Sequence, residues 1–131
     1  MHGPGDGTLS VRDAQGTFTI KARGGIIGTF ARGKVVITDP DPNDGTLAVT
    51  GDDWHHERTD TTTVYGGTKV RFRLIGGAFK IRVIGSGVNL SVVGKGTIGL
   101  LGEGTADDGT YSIDGGDYVS VPDTLTTFTL P

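Results

Sequence analysis

Five cations stand at alternate positions in one short stretch: Lys69, Arg71 and Arg73, then Lys80 and Arg82. Between them lie Val70, Phe72 and Leu74, then Phe79 and Ile81. On extended strands this alternation puts the charges on one side and the apolar residues on the other. Gly76-Gly77 reads as a two-residue hairpin turn, which sets Arg73 opposite Lys80 and Arg71 opposite Arg82. Like charges placed opposite one another cost up to about 1 kcal/mol per pair. Carboxylates such as Asp39, Asp41, Asp107 or Asp108 could fold over the patch and neutralise it, or the long stems could lie on apolar surface with their heads hydrated. The functional alternative is an anionic polymer, such as an acidic glycan or a phosphate polymer, held by the cationic hairpin face.

A second constellation is Asp52-Asp53-Trp54-His55-His56-Glu57-Arg58-Thr59-Asp60. Two His among carboxylates suit a divalent metal ion or an acid–base pair, the chemistry of a metal-dependent or acid–base hydrolase centred on residues 52–60. Adjacent residues of a strand point to opposite faces, so His55 and His56 meet at one ion only if the chain turns there. Otherwise the segment is a solvated polar loop. A third is Asp39-Pro40-Asp41-Pro42-Asn43-Asp44-Gly45, whose oxygen ligands at alternate positions suggest a calcium loop. Its glycine comes one position late, Thr50 stands where the bidentate Glu belongs, and Asn-Asp-Gly is ordinary turn chemistry. His55, His56, Asp39 and Asp41 are therefore the candidate metal ligands, and the expectation is a protein that folds without a cofactor. No Ser lies in G-x-S-x-G, and Gly94-Lys95-Gly96-Thr97 is not followed by a helix that could present its N-terminus to a phosphate.

What positions these residues is a pattern written twice. Gly16-Thr17-Phe18-Thr19-Ile20-Lys21-Ala22-Arg23-Gly24 returns as Gly77-Ala78-Phe79-Lys80-Ile81-Arg82-Val83-Ile84-Gly85, sixty-one residues on and without a gap. Gly45-Thr46-Leu47-Ala48-Val49-Thr50-Gly51 returns as Gly109-Thr110-Tyr111-Ser112-Ile113-Asp114-Gly115, now sixty-four residues on. Asp53-Trp54 then matches Asp117-Tyr118, a pairing that suggests two aromatic lids on the core. Helical periodicity is absent, whereas alternating apolar runs with Gly, Asp-Gly and Pro punctuation recur about every ten residues. The expected fold is all-β: one domain over 1–131 of roughly ten to twelve short antiparallel strands. Two repeats, about 5–66 and 67–131, would be related by an approximate two-fold axis. A closed barrel would remove exposed edges and is preferred to a sandwich; a β-solenoid is the alternative.

Composition narrows the classes. The 131 residues carry 24 Gly, no Cys and a net charge of −3. A thiol nucleophile, a thiolate zinc site and a disulfide framework are excluded. The acidic balance argues against a dedicated nucleic-acid binder, and no apolar run is long enough to span a membrane. The start, Met1-His2-Gly3-Pro4-Gly5-Asp6, carries no apolar signal core; either the protein is not exported or a leader has been trimmed.

The run Val64-Tyr65-Gly66-Gly67-Thr68-Lys69-Val70-Arg71-Phe72-Arg73-Leu74-Ile75-Gly76-Gly77, with Gly85-Ser86-Gly87-Val88-Asn89-Leu90-Ser91-Val92-Val93-Gly94-Lys95-Gly96, resembles Gly-rich proteins of high-GC actinobacteria. Those proteins carry no assigned activity and many look exported, so the resemblance implies an extracytoplasmic setting and no catalytic residue. The expectation is a non-enzymatic structural or binding β module, with the hydrolase as its alternative.

Overall fold

The computed structural model of the chain describes residues 7–39, 46–102, 108–114 and 116–130. Asp41, Asp107 and most of the calcium-like loop lie outside these residues. Two long strands dominate, β1 (Gly7–Thr38) and β4 (Thr62–Gly102). Five short ones complete the order: β2 (Thr46–Thr50), β3 (Trp54–Glu57), β5 (Thr110–Ile113), β6 (Val119–Ser120) and β7 (Thr126–Leu130). The fold is all-β, with no helix among the described residues and hence none long and apolar enough to cross a membrane. All pairings are antiparallel within one sheet ordered β2-β4-β1-β5-β6, with β3 and β7 also paired to β4. The sheet is not closed, since the edge strands β2, β3, β6 and β7 do not pair with one another among the described residues. The barrel expectation therefore gives way to an open, folded sheet. The antiparallel pairing also rules out a solenoid of stacked parallel rungs.

The expected short strands are instead straight stretches of two continuous ones. Phe18 is opposite Val83 on one side and Leu100 on the other, and Ile26 is likewise opposite Leu74 and Val92. β1 thus has β4 on both flanks. The chain bends, without reversing, along two lines of facing glycines. One runs Gly7, Gly94, Gly24, Gly77; the other runs Gly102, Gly16, Gly85, Gly33, Gly67. At Gly24 and Gly94 the φ angles are +143° and +155°. A Cβ on either would strike the backbone carbonyl of the other strand, at Val93 or Arg23. Only glycine lets the two creased strands approach this closely.

The creases divide the sheet into two layers. The first runs β2, 67–76, 25–33, 85–94, 7–15, β5, β6. The second runs β3, 62–67, 33–38, 77–85, 16–24, 94–102, β7. Alternate residues of both layers enter one hydrophobic cluster: Val11, Phe30, Phe72 and Leu90 from the first, Phe18, Val35, Phe79 and Leu100 from the second. Phe18 and Phe79, sixty-one residues apart, are both buried. Their partners differ from strand to strand, but the alternation that buries them is the one written in the sequence.

Candidate functional site

Gly76-Gly77 is a crease and not a hairpin, which corrects the expected charge pairing. Stretch 67–76 lies in the first layer and 77–85 in the second, so the five cations split between two outer surfaces. Arg73 is opposite Ile27 and Ala48, and Arg71 opposite Thr29 and Thr50. Arg82 is opposite Thr19 and Val36. In the first layer Arg12 is opposite Thr110, and Ser10 lies between Ser91 and Ser112. A Gly-Gly pair between two alternating runs permits a reversal or a bend equally well, and the non-local pairing with β1 selects the bend. All five candidate cations, Lys69, Arg71, Arg73, Lys80 and Arg82, remain exposed, while Phe72, Leu74, Phe79 and Ile81 are buried beneath them.

Like charges do face one another, but with other partners. Lys80 stands opposite Lys21, and two residues along β1 Arg23 stands opposite Lys95, with Ala78 on its other side. Adjacent strands lie about 4.8 Å apart and residues two apart on a strand about 6.8 Å. The four cations therefore crowd two neighbouring rungs. With Ala22, Thr38, Ala78 and Phe79 they line a depression of about 380 Å³. Lys21, Arg23, Lys80 and Lys95 are exposed, and among the described residues none forms an ion pair.

Charge is segregated across the whole fold. Eleven of the twelve Lys and Arg residues lie on β1 and β4, Arg58 being the exception, while of fifteen carboxylates only Asp13 lies on them. By sequence position the other carboxylates lie outside these two strands, Glu57 on β3. Asp108 is buried beside Gly102. Asp39 borders a separate polar hollow of about 470 Å³ with Asp60, Thr61, Thr63 and Tyr65.

The 52–60 segment forms the edge strand β3. His55 pairs across to Tyr65 and His56 to Val64, so the two imidazoles leave opposite sides of the strand. His55 Nδ1 lies 3.5 Å from an Asp52 carboxylate oxygen, and its ring stands 6.1 Å from that of Tyr65. Among the described residues no three His, Asp or Glu side chains come together to hold a metal ion. Asp39 borders the polar hollow that Tyr65 also lines. The two aromatic lids are also unlike. Trp54 lies against Gly66, whereas Tyr118 sits outside the first layer, its hydroxyl donating to Ser10 Oγ at 2.7 Å and its ring 4.2 Å from the Arg12 guanidinium. The lid expectation is corrected for both: Trp54 and Tyr118 are exposed and neither packs in the core cluster, and they lie in different layers, since β6 pairs with β5 in the first while β3 pairs with β4 in the second.

Lys21, Arg23 and Lys95 were missed at the sequence level. Their positions are alternate and outward like the rest, but only the long-range register brings them to Lys80. No known protein family, curated protein or solved structure matches this chain.

Proposed function

We propose that this protein is a non-catalytic binding module that holds an anionic polymer, such as an acidic glycan, on the outer surface of its second layer. The observation that carries this reading is the pair of like-charged rungs, Lys21–Lys80 and Arg23–Lys95, beside the Ala78 hollow, with no carboxylate at ion-pair range among the described residues. Each rung costs stability by itself, by up to about 1 kcal/mol, and a polymer carrying repeated negative charges removes that cost on binding. The comparison of the two halves supports a specialised end of the layer. Lys21 and Lys95 have cationic counterparts sixty-one residues away in Arg82 and Lys34, but Lys80 and Arg23 are matched by Thr19 and Ile84. We infer that a duplicated scaffold gained its extra cations at one end. An extracytoplasmic setting, implied by the resemblance to exported Gly-rich proteins, would supply such polymers.

Heparin, as a model polyanion, tests the reading. Calorimetry should detect binding at low salt that weakens as salt rises. Lys21→Ala/Lys80→Ala should weaken it far more than Arg71→Ala/Arg73→Ala on the first layer. Absence of binding at low salt overturns the proposal.

A further inference from the structure

The same protein carries a surface that complements the cationic hollow. Trp54, on edge strand β3, is 47% exposed although it is the largest side chain in the sequence. It rests against Gly66, which leaves room for the ring where any Cβ would strike it. Asp52, Asp53, Glu57 and Asp60 surround it in sequence, with Arg58 the one cation among them. The segment is held in place at its start: the Asp53 amide donates to the Gly66 carbonyl at 2.8 Å, and the Asp53 carboxylate accepts from the Thr68 amide at 3.1 Å. A rigid, half-open aromatic ring bordered by negative charge is the composition of an interface anchor. The hollow lined by Lys21, Arg23, Lys80 and Lys95 with Ala22, Ala78 and Phe79 combines apolar surface with positive charge and has room for one aromatic side chain.

Within one chain the two cannot meet. Trp54 is in line with Gly66, Lys34 and Ile84, so Lys80 lies three strands over and four residues along, roughly 20 Å by ordinary sheet spacings. We infer that the occupant is a second copy of this chain, whose Trp54 edge docks in the hollow of the first. The two surfaces differ, so the contact is head-to-side; each added copy presents a free edge and a free hollow, and assembly continues as a filament or closes as a ring. It shares four cations with the proposed polymer site but does not depend on that reading. A polyanion would compete with assembly.

Sedimentation of the full-length chain over a wide concentration range at low salt tests this. The expected result is reversible association that moderate salt weakens. Trp54→Ala should weaken it about thirtyfold, the effect of losing an interface hot spot, and Lys21→Glu/Lys80→Glu should abolish it. Mixing these two variants is the decisive arm. One retains the hollow and the other retains the anchor, so together they should form a heterodimer and nothing larger. If thermal melting shows that Trp54→Ala is unfolded, Glu57→Lys/Asp60→Lys takes its place. A wild-type chain that stays monomeric, association that neither variant alters, or a mixture that forms no heterodimer overturns the inference. Heparin binding is expected to survive Trp54→Ala, so loss of assembly and loss of polymer binding are read separately.

Discussion

Lys21 and Lys80 stand directly opposite one another on neighbouring strands, and Lys21 faces Thr97 on its other side while Lys80 faces Thr38. Among the described residues no carboxylate pairs with either lysine, although the chain has more acids than bases. The folded sheet brings Lys21 and Arg23 of β1 together with Lys80 and Lys95 of β4, while all the acids but Asp13 lie outside these two strands. The two lysines are the centre of the functional reading, and they give it a thermodynamic consequence.

Removing one of them should stabilise the protein. Lys80→Thr, which installs the residue found at the matching position 19, is expected to gain up to about 1 kcal/mol at low salt, a rise of about 3 °C in Tm for a domain of this size. The gain should shrink as salt is added. Melting curves at two ionic strengths check this.

The creases should be intolerant of any side chain. Gly24→Ala places a Cβ on the Val93 carbonyl at a φ of +143° and is expected to destabilise by more than about 3 kcal/mol, or to prevent folding. Gly25→Ala is the control, because its nearest neighbour is the end of the Ile75 side chain at 3.4 Å. It should change stability by less than about 1 kcal/mol. Urea denaturation of both variants makes the comparison.

How much of this was legible in the sequence follows from the range of each interaction. Alternation at 70–74 and 79–83 is local, and it placed Phe72, Leu74, Phe79 and Ile81 inside and the cations outside. The repeated glycines were also visible, but a glycine pair reads alike as a reversal and as a bend. The choice was made by pairing with Gly24 and Gly25 of β1, more than forty residues away. Arg73 was thereby paired with Lys80 on paper, whereas Ile27 and Ala48 are its neighbours in the fold. The cluster of Lys21, Arg23, Lys80 and Lys95 depends wholly on that register and left no local signal. Trp54 and Tyr118 matched in sequence yet diverged in place, since β3 and β6 join different layers.

Tyr118 should act as a clasp on the first layer. Arg12→Ala and Tyr118→Ala are each expected to cost a modest amount, with a coupling of about 0.5–1 kcal/mol from the stacked guanidinium. Tyr118→Phe keeps the stacking and loses the bond to Ser10. A double-mutant cycle by denaturation reads the coupling.

Metal removal is expected to leave the fold unchanged. His55 and His56 leave opposite sides of β3, and among the described residues no metal-holding group is assembled. Chelation should leave Tm where it was; a fall of several degrees would restore the metal reading of His55, His56, Asp39 or Asp41.

The binding surface itself is tested most directly by amide chemical-shift mapping as a heparin oligosaccharide is added at low salt. The account predicts that the largest shifts fall on Lys21, Arg23, Ala78, Lys80 and Lys95, with Arg71 and Arg73 little moved. Shifts centred on Arg71 and Arg73, shifts spread evenly over both layers, or none at all would contradict it.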